Sequence, residues 1–184
     1  MDRKEFLKGC AGGLCACAVG CIAGSSAAAE TAAPADWRVS FVKQRYAKLL
    51  ETLLEKVGED KLVETLHEVG GYCAGTFGPA LEKYHGDVEG FAAYIKTVGS
   101  GDLFSYDRAT NTIHASSEER TDCICPLIGV AQKTPKVVCN CSIGWHQYAW
   151  EKLLGRKVRV ELKESVLRGG KRCRLDIKVL DEPV

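Results

Sequence analysis

The chain carries almost no net charge: 25 Lys and Arg stand against 24 Asp and Glu, leaving +1 over 184 residues. That removes the overall field by which nucleic acid or an anionic membrane would be drawn in. No stretch reads as a stable membrane span. The one continuous weakly apolar run, Gly9 to Gly24, is too short and too rich in glycine. There is no His-Glu-x-x-His zinc motif and no Ser-His-Asp order. His67 falls between polar neighbours and reads as solvated, and His85 precedes a Gly-Asp turn; neither has a partner at metal-ligand spacing. No internal repeat or low-complexity linker follows Ala35, so residues 36–184 read as one domain, with 46% of the whole chain hydrophobic and 27% charged.

What the chain has in excess is cysteine, ten in all. Cys10, Cys15, Cys17 and Cys21 crowd the start, and Cys73, Cys123, Cys125, Cys139, Cys141 and Cys173 belong to the body. The first 35 residues have the three parts of a secretory signal: a charged start, an apolar middle and a small-residue end from Ser25 to Ala35. Arg3-Lys4-Glu5-Phe6-Leu7-Lys8 resembles a twin-arginine signal in all but its second arginine. That resemblance implies export of a folded chain to the periplasm or cell envelope, with the export machinery as partner and membrane contact only in transit. A lipoprotein signal ending at Cys21, or an uncleaved amphipathic helix, are the other readings.

The body divides into a helical half and a sheet half, which predicts an α+β domain of N-terminal helices on a twisted antiparallel sheet. Val42, Tyr46, Leu49, Leu50, Leu53, Leu54 and Val57 recur every three or four residues, so 36–58 is helical and Gly58 ends it. A second helix spans Glu59 to Val69, with Gly70-Gly71 as its stop and Cys73 in a flexible turn. Asp87 caps a helix reaching Val98. Leu103–Tyr106 and Thr112–Ala115 flank a polar turn as a hairpin. Ser142–Leu154 is helical, with His146 in the middle of its apolar arc and Gly155 as its stop. Lys157–Lys163 and Arg172–Val179 alternate cleanly as strands around a Gly169-Gly170 turn, which puts Cys173 on the buried face. The basic residues of these strands read as a solvated sheet face with cross-strand acids.

Two Cys-x-Cys pairs, Cys123-x-Cys125 and Cys139-x-Cys141, dominate the candidate chemistry. Cys139 and Cys141 precede a helix N-terminus, whose dipole favours thiolate. Three readings stay open. Cys123, Cys125, Cys139 and Cys141, with Cys173 able to replace one of them, ligate zinc or an iron–sulfur cluster. Alternatively, the even number of body cysteines forms disulfides between the two motifs, stapling an envelope domain that contacts a partner. The third reading is inert buried thiols. An enzymatic version assigns nucleophilic attack to Cys141 or a metal-bound water, and proton transfer to His146.

The last fifty residues carry a resemblance. Cys141-Ser142-x-Gly144-Trp145, Gly155-Arg156-x-Val158-x-Val160-x-Leu162 and Ser165-x-x-x-Gly169-Gly170-x-x-Cys173-x-x-x-Ile177 resemble the C-terminal part of 4-vinyl reductase-like domains. They are closer still to the 2-amino-thiazoline-4-carboxylate hydrolase-like proteins. The resemblance covers residues 123–179 and implies a pocket between helices and sheet for a small-molecule ligand. It further implies cysteine-bound zinc or an iron–sulfur site at Cys139 or Cys141 and Cys173, or a thiazoline ring-opening hydrolase. The position of the relatives' remaining ligand falls near Ser165, which is no thiolate, so Cys123 and Cys125 are expected to complete a differently composed site. The resemblance implies a small ligand as partner; the oligomeric state is left open, with a homodimer as one option.

Overall fold

A computed structural model describes residues 36–98, 102–123, 125, 126, 128 and 134–184. The export-signal reading over 1–35 lies outside the described residues, in a unit (Met1–Pro34) separate from the domain Ala35–Val184. Among the described residues no helix is long and apolar enough to cross a membrane.

The domain is α+β, as the two periodicities predict. Helices α1 (Trp37–Val57), α2 (Glu59–Gly75), α3 (Gly78–Lys83) and α4 (Val88–Thr97) precede the hairpin β1 (Asp102–Asp107) and β2 (Thr112–Ser117). A 3₁₀ turn, Lys136–Cys139, leads into α5 (Asn140–Leu154); β3 (Arg156–Glu164), a second 3₁₀ turn (Val166–Arg168) and β4 (Arg174–Pro183) complete the chain. The four strands form one antiparallel sheet in the order β1-β2-β4-β3. Several expected end signals act as read. The Asp87 carboxylate accepts from the Gly90 amide at 2.8 Å, and Gly155 ends α5 in the left-handed region at φ 63°.

Two separate cores hold the domain. The larger lies between the sheet's inner face, where Ile113, Ala115, Leu175, Ile177 and Val179 are buried, and Phe91, Ile95, Ala149, Trp150 and Leu153 of α4 and α5. Trp150 is its centre, with Phe91 and Phe104 edge-on at 5.6 and 5.3 Å. The smaller core joins Leu50 of α1 and Leu62 and Leu66 of α2 to Val137, Val138 and Leu167 from the two 3₁₀ turns, and to Ile128. On the outer sheet face, charges pair across strands as expected: Asp176 meets the His114 Nδ1 at 2.7 Å and Lys163 at 3.9 Å.

Three sequence expectations are corrected. Gly70-Gly71 does not stop α2, which continues to Gly75 and makes Cys73 helical. The glycine serves a close approach instead: a Cβ on Gly70 would stand 2.0 Å from the Cys141 carbonyl oxygen. Cys173 lies one residue before β4, half-buried; its amide donates to Ser117 Oγ at 3.0 Å and its carbonyl accepts from the Ser117 amide at 2.9 Å. His67 is not a freely solvated side chain: its Nε2 is buried without a hydrogen-bond partner, and its backbone presses on Gly144.

Candidate functional site

The thiols gather around the smaller core. Cys123, Cys125, Cys139 and Cys141 all pack against it beside Tyr46, Leu53, Leu54 and Val63. Cys139 closes the 3₁₀ turn and is the residue that caps α5, while Cys141 sits inside the first helical turn. The helix therefore starts two residues earlier than the sequence suggested, and a preceding 3₁₀ turn leads directly into it. None of the six body cysteines is in a disulfide.

The electrostatics tie the sulfurs together. Burial raises the Cys123 thiol above its ordinary value; a backbone hydrogen bond at Cys125 opposes this, and the charges of Cys125, Cys173 and Cys139 add to the rise. Cys141 is pushed up to about 11, first by burial and then by the charges of Cys73 and Cys125. Cys125 is common to both sets. Cys73 is brought to Cys141 by the continuation of α2. Gly70 rides on the Cys141 carbonyl, and Cys73 follows three residues later on the same helix face.

Two polar neighbours complete the picture. Ser165, buried at 3% exposure, stands with its Oγ 3.1 Å from Cys139 Sγ. The residue that departs from the zinc-binding pattern is thus in direct contact with the thiol group. The Tyr46 hydroxyl is buried with no hydrogen-bond partner. Its pKa is pushed up to about 12, by burial and then by the charges of Cys141, Cys125 and Cys73. An orphaned donor among thiols costs free energy until an acceptor forms beside it. Thiolates made on metal binding would be such acceptors. Tyr46 looked in the sequence like one more member of an apolar stripe, and nothing in that spacing marks its hydroxyl. Among the described residues, no three His, Cys, Asp or Glu side chains close on a single ion as they lie.

His146 belongs elsewhere. It lies five residues after Cys141 on α5, roughly 140° round the helix, and points into the larger core. There it is 5% exposed. Its Nδ1 accepts from the Trp150 indole at 3.3 Å, and its ring stands edge-on to Trp145 and Phe104 at 5.0 and 6.0 Å. Burial lowers its pKa to about 4. Cys141 and His146 thus lie on different faces of α5, one against each core.

The buried histidine has a consequence for stability. An unfolded chain binds a proton at His146 below about pH 6.5, whereas the folded chain refuses it down to about 4. Unfolding is therefore favoured as pH falls through that window, by up to roughly 3 kcal/mol at its lower end. Denaturant titrations between pH 7 and 4 should show this loss, and His146→Asn, which keeps an acceptor for Trp150, should flatten it.

A surface groove of about 780 Å³ runs along α2 and α5 between His67, Tyr72, Gly75, Gly144, Tyr148 and Glu151. Its lining contains no cysteine.

No protein-family model and no curated protein sequence matches the chain. Solved structures do share its fold. One is a trafficking protein particle complex subunit 3 from Naegleria fowleri, covalently bound to palmitic acid. It superposes with a TM-score of 0.52 at 13% identity, over 80% of this chain and 98% of that one. Another is the phenol-responsive sensory domain of the transcription activator PoxR, with phenol. It gives 0.50 at 19% identity, over 74% of each chain. At these identities the likeness establishes the fold.

Proposed function

We propose that this is an exported small-ligand-binding domain whose cysteines hold a metal centre, an iron–sulfur cluster or zinc. The observation that carries the proposal is that Cys123, Cys125, Cys139 and Cys141, none in a disulfide, all pack half-buried against one small core. Cys123, Cys125, Cys139, Cys141 and Cys173 are the ligand candidates, with Cys73 beside Cys141. Zinc would draw four sulfurs to about 3.8 Å from one another, given Zn–S bonds near 2.3 Å. A cluster spreads its thiolates over several irons. Such a centre supplies one-electron chemistry when iron–sulfur, or a structural cross-link when zinc.

The ligand-binding part of the reading draws on two proteins of the same fold that hold a small apolar molecule, phenol in one and palmitic acid in the other. The resemblance of residues 123–179 to 4-vinyl reductase-like domains points the same way. The groove between α2 and α5, flanked by Tyr72 and Tyr148, has a volume in the range of small-molecule sites.

Anaerobic purification followed by metal, iron and sulfide analysis and a visible spectrum tests the metal centre. Stoichiometric iron with sulfide and a coloured protein, or stoichiometric zinc in a colourless one, is the expected result. A colourless protein without stoichiometric metal ends the proposal.

A further inference from the structure

The thiol site leaves α1 largely unexplained. Among the described residues, twelve large apolar side chains are exposed, and six of them lie on this helix: Trp37, Val39, Phe41, Val42, Leu49 and Val57. Of its 21 residues only Leu50 is buried. Tyr46, Leu50 and Leu53 dock α1 on the smaller core. Val39, Val42 and Leu49 extend that stripe at the same three- and four-residue spacing, 51%, 55% and 53% exposed. An amphipathic face normally ends where its partner ends; here it runs on for about two turns, from Tyr46 back to Val39, beyond the last side chain that packs on the core.

The exposed end is also pre-arranged for contact. Trp37 stands edge-on to Phe41 at 5.9 Å, and the Arg45 guanidinium lies 3.5 Å over the Phe41 ring. Aromatic and arginine side chains held in this way are the types that dominate protein interfaces. They leave few rotamers to freeze on binding.

Charge identifies the occupant. The first half of α1 carries Arg38, Lys43, Arg45 and Lys48 and no acid; beyond Leu50 the helix carries Glu51 and Glu55 against Lys56. Lys48 already meets Glu51 at 2.8 Å at the crossover. A helix whose sign reverses about its middle complements a second copy of itself laid antiparallel, and opposes itself laid parallel. We propose that the chain forms a two-fold homodimer in which α1 packs antiparallel on α1 of a second copy. Trp37, Phe41, Val42 and Leu49 form the apolar seam, and each basic half faces the partner's acidic half. An isologous contact of this kind closes after two copies.

Charge reversal in the full-length chain tests it. Light scattering and sedimentation at micromolar concentration should give a dimer for the unaltered protein. Reversing the basic half (Arg38→Glu, Lys43→Glu, Arg45→Glu) should weaken self-association at least tenfold, and so should reversing the acidic half (Glu51→Lys, Glu55→Lys). Mixed one to one, the two reversed chains should form a heterodimer, which also shows that both are folded. A parallel dimer predicts no loss in either single variant, since reversal leaves like facing like. A monomeric unaltered protein, variants that still dimerise, or a mixture that stays monomeric would each overturn the proposal. The last outcomes apply equally where α1 is covered by the chain's own first 34 residues or by a lipid surface.

Discussion

Alanine at Gly70 is expected to cost the fold about 2 kcal/mol and to disperse the thiol group. The added Cβ would lie 2.0 Å from the Cys141 carbonyl oxygen and 2.7 Å from the Trp145 amide nitrogen. Both are backbone atoms in the first turns of α5, so no side chain can rotate aside, and one helix must move. Overpacking of this kind typically costs about 1–3 kcal/mol, and more when backbone is displaced. The better helix propensity of alanine returns only about 1 kcal/mol. Gly144→Ala should behave similarly, since its Cβ would meet the His67 carbonyl oxygen at 2.2 Å. Gly71→Ala is the control. Its Cβ finds only the Tyr148 ring, at 3.6 Å, an ordinary van der Waals contact. Urea titration should show the first two variants strongly destabilised and Gly71→Ala neutral or slightly more stable. Metal content should fall in Gly70→Ala, because separating α2 from α5 separates Cys73 from Cys141. Equal effects at Gly70 and Gly71 would mean that the close approach does not exist.

That contact also shows what a single sequence can and cannot convey. Period-3.6 stripes located α1, α4 and α5, and period-two alternation located the strands, because those patterns follow from burying one face. Glycine has two uses, to break a helix or to admit a neighbouring backbone. Nothing within residues 59–75 says that another helix lies against Gly70. Reading a stop there removed Cys73 from α2, and with it the reason to place Cys73 beside Cys141. The sheet order β1-β2-β4-β3 was equally hidden, since strand neighbours are set by tertiary packing. The two Cys-x-Cys pairs were visible as motifs. His146 was correctly read as facing inward, but the apolar arc does not distinguish a site wall from the middle of an aromatic core.

Tyr46→Phe should move the stability of the metal-free domain and its metal affinity in opposite directions. In the empty domain the hydroxyl is buried without a partner, a defect worth about 1–3 kcal/mol. Phenylalanine keeps the ring packed beside Leu53 and Leu54 and removes the defect, so the chelated, reduced protein should resist urea better. Loading reverses the sign. On the proposed metal reading, the thiol of Cys141, pushed up to about 11, would give up its proton to the metal and leave a thiolate near Tyr46. The hydroxyl, with its own pKa pushed up to about 12, remains protonated and is there to donate. Removing a hydrogen bond of this outer kind lowers metal affinity about 10- to 100-fold. Chelator competition with zinc or cadmium measures that loss. Cys141→Ser should weaken binding more severely, and adding Tyr46→Phe to it should cost little further, because the hydroxyl acts through that sulfur. A Tyr46→Phe protein whose stability rises while its affinity is unchanged would show that the hydroxyl never meets a thiolate. One whose metal-free stability falls would show that the hydroxyl already has a partner in solution.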